Sequence, residues 1–311
     1  MESDKIHQIK QFIKQVLLQN NYFQKNQKIC QIIIDGFENA SFRRAQIICS
    51  NNSGNNSSDN NSQTNSQADS KADSKADSDI ALAAALEIFH NAALIQDDII
   101  DNAKTRRWMK SVPEILGKNK SLLLGNILYG LAKETFVNSV NKLDKSYWLK
   151  NSKSQLLNFW NKVFLQVQIG QLLDIQLENA KLELNNYKTL TDLIYQVTLN
   201  KTVSYSFIFP NYIKAVLDKT QFSDEIKNQA IQKGLDFQNL DDIANIVQTS
   251  QQTGKPELSD IFSKKKTNIL IKALEKMPES DAKKIIKLYN NKAKISQARA
   301  KYIKTKIGQF I

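Results

Sequence analysis

Glycine and proline are scarce here, 9 and 4 residues in a chain of 311. A fold of many short strands needs such breakers at every turn, so a β-sandwich or barrel is excluded and long helices with few interruptions are indicated. Cysteine is scarcer still. Cys30 and Cys49 stand without the Cys-x-x-Cys or Cys/His spacings of zinc and redox sites, which points to two reduced, buried thiols in a cytoplasmic setting. No stretch approaches the ~18 consecutive apolar residues of a membrane span. Met1 to Lys5 opens with charge and runs into an amphipathic pattern, so no secretory signal is expected, and membrane contact would be peripheral at most. Acidic residues number 31 against 43 Lys and Arg, a net charge of +12. Such an excess suits polyanions, but lysines run along the chain with acids among them and no nucleic-acid motif accompanies them. The expectation is a solvated, lysine-rich surface that also draws in anionic substrates, with no nucleic-acid partner.

What is present is helical periodicity. Ile6, Ile9, Phe12, Ile13, Val16 and Leu17 follow it, and a second run follows from about Lys28 to Cys49. Residues 51–78 are Asn, Ser, Gln, Gly, Asp, Thr, Ala and Lys, with Ala-Asp-Ser-Lys repeating from Ala68, a composition that forms no core and reads as a disordered low-complexity insertion. From Ile80 to about Arg107 one long helix is predicted, with the Ala81 to Leu86 run at its centre. Further helices are predicted at 121–139, 149–179, 186–219, 223–248, 258–276 and 280–308. The chain reads as all-α, one domain over 1–311.

Two aspartate clusters interrupt the apolar helices: Asp97-Asp98-Ile99-Ile100-Asp101 and Asp241-Asp242-Ile243-Ala244-Asn245. Carboxylates in such surroundings are costly to bury without a counter-charge. Residues four apart share a helix face, so Asp97 and Asp101 form a bracket, with Asp98 about 100° around. Asn245 offers only an amide oxygen or a hydrogen bond. Each cluster is followed by cations: Lys104, Arg106 and Arg107 after the first, Lys255 and Lys264-Lys265-Lys266 after the second. Magnesium is commonly held by one or two carboxylates plus phosphate oxygens, so carboxylate, metal and cation together describe a clamp for a diphosphate.

These elements resemble the trans-isoprenyl diphosphate synthases, or polyprenyl synthetases. His90 to Arg107 resembles that family's first aspartate-rich motif with its following Thr-Arg-Arg, and Phe237 to Asp242 the second. Gly170-Gln171-Leu172-Leu173-Asp174, Lys201-Thr202, Gly254-Lys255-Pro256, Ser259-Asp260 and Lys265-Lys266-Thr267 fall in the family's order. The resemblance implies an all-α bundle of long helices around a deep central cleft. It also implies condensation of an allylic diphosphate with isopentenyl diphosphate in a homodimer, assisted by Mg²⁺ or Mn²⁺. It assigns metal binding to Asp97, Asp98, Asp101, Asp241 and Asp242. Arg106, Lys201, Lys255 and Lys265 are implied to grip the allylic diphosphate, and Gln171, Thr202 and Gln238 to lie near the cation or diphosphate. Arg107 and His90 are implied to contact isopentenyl diphosphate.

One segment departs from the family. Where a Gly-Gly-Lys-Arg-x-Arg-Pro stretch would hold isopentenyl diphosphate, this chain reads Gly36-Phe37-Glu38-Asn39-Ala40-Ser41-Phe42-Arg43-Arg44-Ala45. The lysine is missing, and Arg43 or Arg44 is expected to replace it. Product length should follow from the turn before Asp97, where Ala92 and Ala93 leave room and Phe89 offers a deeper floor. A C20 geranylgeranyl product is expected, with a longer polyprenyl chain as the alternative. A terpene cyclase and a non-catalytic partner subunit are the rival readings.

Overall fold

The computed structural model describes residues 2–38, 40–50, 65–143, 152–253 and 257–310, and it is almost wholly helical. The helices are α1 (Glu2–Gln19), α2 (Asn21–Lys25), α3 (Gln27–Glu38), α4 (Arg43–Cys49), α5 (Asn65–Ile100), α6 (Val112–Leu116), α7 (Lys118–Lys142) and α8 (Ser152–Asn179). After them come α9 (Tyr187–Thr198), a π-helical stretch (Leu199–Ile208), α10 (Phe209–Leu217), α11 (Asp224–Val247) and α12 (Ser250–Thr253), then α13 (Ser259–Phe262), α14 (Asn268–Lys276), α15 (Glu279–Asn290) and α16 (Gln297–Gly308). Strands β1 (Thr105–Arg106) and β2 (Met109–Lys110) form one small antiparallel hairpin.

The chain gathers into two compact units. The first contains residues 1–104, 111–161 and 206–227. Its axis is α5, whose Leu82, Ala83, Ala84, Ala85, Leu86 and Ile88 are all buried. A helix apolar on every side must be enclosed, and α1, α4 and α7 enclose it. The facing stripe of α7, Leu124, Leu128, Leu131, Phe136 and Val140, repeats at helical spacing. The second unit contains residues 105–110, 162–205 and 228–311. Its core joins Leu177, Leu190, Ile246, Leu270, Leu274 and Ile303, drawn from α8, α9, α11, α14 and α16.

Several expectations from the sequence are revised. The helix foreseen over Lys28–Cys49 is divided into α3 and α4, and just before α4 Phe42 takes a left-handed conformation (φ 48°) while its ring is buried against Phe37. Helix α5 starts at Asn65, so the Ala-Asp-Ser-Lys repeat is helical where a disordered insertion was expected; residues 51–64 lie outside the described residues. At its other end α5 stops at Ile100, before the expected Arg107. The foreseen 258–276 and 280–308 helices each divide, because Thr267 and Ser296 accept backbone N–H bonds as N-caps of α14 and α16. Asp77–Ile100 is long and apolar enough to cross a membrane by length and composition, although it contains no run of ~18 consecutive apolar residues and 72% of its most apolar window is buried.

Candidate functional site

In the first unit the leading aspartates occupy the end of α5. Asp97 and Asp98 lie in its last turn, and the Asp101 N–H still donates to the Asp97 carbonyl at 2.8 Å, so helical phase persists through Asp101. His90, Leu94, Asp97 and Asp101 therefore follow one stripe of the helix, at steps of four, three and four. Asn102 then turns left-handed (φ 51°) and the chain leaves the helix. Asp98 is 2% exposed and Asp101 lies in solvent. A helix C-terminus carries partial negative charge, and no basic residue occupies the last turn of α5. Three carboxylates there raise the negative potential further, which makes this end attractive to a cation.

Arg44 is enclosed within the first unit. Its Nε and Nη2 donate to the two oxygens of Glu87 at 3.2 and 2.8 Å, and Nη1 donates to Ser206 Oγ at 3.1 Å. The arginine is 1% exposed and Glu87 0%, so the pair is a fully enclosed fork that joins α4 to α5. Of the two arginines expected to replace the missing lysine, Arg44 thus already has its charge neutralised by Glu87. Arg43, one residue earlier, is partly exposed, with its guanidinium 5.6 Å from the Phe207 ring centre.

Below the aspartates the same unit holds an aromatic wall. Phe89 meets Tyr129 and Trp160 edge-on at 5.0 and 5.5 Å, and Trp160 stacks on Phe136 at 4.5 Å. Tyr129 also donates to Gln96 Oε1 at 3.3 Å, next to Asp97. Eight residues separate Phe89 from Asp97, about 12 Å along the helix.

In the second unit Arg106 and Arg107 sit on the β-hairpin and not on the helix foreseen for them. Arg106 pairs with Met109, and Arg107 and Trp108 make the turn with φ of 52° and 64°. A two-residue hairpin loop of this kind favours Asn-Gly, so two bulky residues here are strained. The Trp108 indole N–H donates to the Gln251 carbonyl at 3.2 Å.

A polar chain runs through the rest of this unit. Lys201 Nζ lies 2.5 Å from Asp174 Oδ2, Thr202 Oγ1 donates to Gln238 Oε1 at 3.4 Å, and Gln238 Nε2 donates to Asp242 Oδ1 at 2.9 Å. Asp242 is buried, and its carboxyl is pushed up to about 7, first by burial and then by Asp260 and Asp241; the Gln238 bond and Lys265 act in the opposite sense. Burial is the main cause, and the two neighbouring carboxylates add to it. Gln171 is buried at 7% exposure, and its Nε2 has no hydrogen-bond partner.

The three consecutive lysines divide their work. Lys264 reaches the carbonyls of Asn291 and Ala293, and Lys266 donates from a buried position to the Glu178 carbonyl at 2.8 Å. Lys265 is the one whose charge acts on Asp242. Lys255 lies outside the described residues. Asn245 is committed elsewhere: its Nδ2 donates to Ser259 Oγ at 2.6 Å and its Oδ1 accepts from the Asp260 N–H at 3.1 Å. It fastens α11 to α13 and is not placed as a metal ligand. Asp241 is partly exposed on the same helix. Among the described residues no three His, Cys, Asp or Glu side chains converge as a metal-holding group. The fit is of carboxylates supplied one or two at a time, the pattern in which phosphate oxygens complete a Mg²⁺ shell.

Comparison with known structures defines the fold class. The chain matches farnesyl diphosphate synthase of T. brucei complexed with minodronate, with a TM-score of 0.79 at 14% identity over 100% of this chain and 87% of that one. It also matches a geranylgeranyl pyrophosphate synthase from Corynebacterium glutamicum complexed with isoprenyl diphosphate and magnesium, with a TM-score of 0.66 at 22% identity over 97% and 86%. The fold is the all-α isoprenoid synthase fold. Residues 40–307 match the model of one family, polyprenyl synthetase, and the chain belongs to that family. Relatives include the short chain isoprenyl diphosphate synthase of Methanocaldococcus jannaschii, 29% identical over 68% of this chain and 60% of that protein. The geranylgeranyl diphosphate synthase of Saccharolobus solfataricus has the same identity and coverage. The chain thus spans about three fifths of the length of the curated relatives it matches.

Proposed function

We propose that this protein is a trans-prenyltransferase that joins an allylic diphosphate to isopentenyl diphosphate head to tail. The observation that carries this reading is the Lys201, Thr202, Gln238, Asp242 chain: it puts a cation, two uncharged polar groups and a buried carboxylate in sequence, a set suited to gripping a diphosphate through metal. Asp97, Asp98, Asp101, Asp241 and Asp242 are the residues proposed to hold metal. Mg²⁺, or Mn²⁺ in its place, would supply Lewis-acid stabilisation of the leaving group when bound. Arg106, Lys201, Lys255 and Lys265 hold the diphosphate as the allylic C–O bond breaks and its electron pair leaves with the diphosphate. The double bond of isopentenyl diphosphate, held by Arg107, His90 and Arg43, attacks the allylic carbon. The resulting cation loses a proton to the released diphosphate. No side-chain base is required.

The small side chains of Ala92 and Ala93 in the turn before Asp97, with Phe89 a turn further back, support a C20 product. The relatives carry both farnesyl and geranylgeranyl names, so length is part of the proposal. Chromatography of products made from labelled isopentenyl diphosphate with dimethylallyl, geranyl and farnesyl primers tests it: a C20 diphosphate is expected, and no condensation with any primer refutes the transferase reading. The commitment of Arg44 to Glu87 favours one rival, a cyclase that needs no isopentenyl diphosphate. Hydrocarbon released from geranylgeranyl diphosphate and Mg²⁺ alone would establish it.

A cytoplasmic homodimer is proposed as the working form. Leu165, Ile169 and Leu172 are exposed at helical spacing on α8, a stripe that a second copy would cover. Light scattering should give twice the chain mass, and a monomer at micromolar concentration argues against it.

A further inference from the structure

Gly170 sits inside α8 with ordinary helical backbone, so conformational freedom is not its purpose. A Cβ built on it would lie 2.4 Å from the Lys201 nitrogen, 2.8 Å from the Lys201 Cα and 2.9 Å from the Asn200 carbonyl carbon. All three are backbone atoms and cannot swing aside. One helical turn later, on the same face of α8, Asp174 receives the Lys201 ammonium at 2.5 Å. The partner segment is the π-helical stretch, whose wider turns push backbone outward and recur at functional sites. Lys201 is thus fixed at two points by one helix face: its main chain in the notch at Gly170 and its side chain at Asp174.

We infer that Gly170 is a positioning residue that acts through Lys201, with Asp174 as the second point of the same seat. Its missing side chain lets α8 and the π-stretch touch main chain to main chain, and this contact sets where the Lys201 ammonium and the Thr202 hydroxyl point. The inference rests on the proposed diphosphate chemistry for the meaning of the Lys201 position, and on geometry alone for the coupling.

The test is a double-mutant cycle with Gly170→Ala, Lys201→Ala and the pair, read as kcat and KM for the allylic diphosphate and as binding of inorganic pyrophosphate with Mg²⁺. With Lys201 present, Gly170→Ala should cost roughly 10²-fold in kcat/KM, the scale of an ångström misplacement. With Lys201 already removed it should cost less than about twofold. Gly130→Ala, at an open helix position with nothing within 4 Å, is the control and should change neither activity nor binding. Equal losses in both backgrounds would assign Gly170 to folding only, and no loss would dismiss the notch; either overturns the inference. Asp174→Asn covers the case in which Gly170→Ala folds poorly. There, and in Gly170→Ala, acetylation of Lys201 followed by mass spectrometry should run several-fold faster than in the unaltered chain, and an unchanged rate overturns the inference. Acetylation needs no turnover: if the unaltered chain neither condenses prenyl groups nor binds pyrophosphate, the transferase reading fails while the seat at Lys201 is still judged.

Discussion

Arg44 and Arg43 are adjacent and do different things. Removing one partner of an enclosed ion pair strands the other charge, so Arg44→Ala should lower stability by about 3–5 kcal/mol, measured by denaturant unfolding. Replacing Arg44 and Glu87 together with Met and Leu should recover most of that loss. Arg43→Ala should leave the melting temperature within a degree or two and raise KM for isopentenyl diphosphate several-fold; an equal rise for the allylic substrate would count against its assignment. Sequence alone did not separate the two arginines, because Glu87 is 43 residues away and its spacing gives no sign of the pairing. Cys49 makes a prediction at the same scale. Burial, with Asp79 adding to it, pushes its thiol up to about 11 from the usual 9. Because the folded value is the raised one, the stability Cys49 contributes is complete below pH 9 and is lost as pH climbs through 11. In the native protein at pH 8 alkylation should be at least ~100-fold slower than for a peptide thiol, from ionisation alone.

At the scale of elements, periodicity served well where burial is one-sided and the chain carries no competing signal. The predicted 149–179 and 223–248 helices lie within three residues of α8 and α11. It failed where a backbone turn is made by unsuitable residues. Phe42, Arg107 and Trp108 all adopt positive φ without being Gly or Asn, so nothing in the sequence marked the break before α4 or the hairpin after α5. The π-stretch was equally hidden, since it continues the apolar pattern of its neighbours. Of the candidate site, the aspartates, Gln238 and Lys201 were legible because charge and amide within apolar helices is itself a signal. The use of Asn245 as a fastener for α13 was not, because it depends on Ser259 and Asp260 folding back onto α11. The aromatic wall on α5, α7 and α8 yields the element-scale prediction. Phe89→Ala removes its first face and should shift products toward longer chains on reversed-phase chromatography, at a stability cost of about 3–5 kcal/mol.

For the molecule as a whole, charge is less evenly spread than the sequence first suggested. Of 43 Lys and Arg, fourteen fall within the last 48 residues, against three of 31 Asp and Glu. Helices α14 to α16 turn their apolar faces to the core of the second unit, which leaves Lys272, Lys276, Lys283, Lys284 and Lys287 exposed. Such a field speeds the arrival of anions and is screened by salt, with a Debye length of about 10 Å at 0.1 M. Stopped-flow association of pyrophosphate with Mg²⁺ should therefore slow as ionic strength rises. Lys283→Gln, Lys284→Gln and Lys287→Gln together should flatten that dependence while kcat stays unchanged. A slope unaltered by the triple substitution would show that these lysines play no part in capture.

The packing of Trp160 between Phe89 and Phe136 has a practical outcome. With Trp108 and Trp148 changed to phenylalanine, Trp160 becomes the sole indole emitter, seated beside the proposed floor. A lengthening hydrocarbon tail that arrives there should alter its fluorescence, so each isoprene addition would announce itself optically, without label or quench.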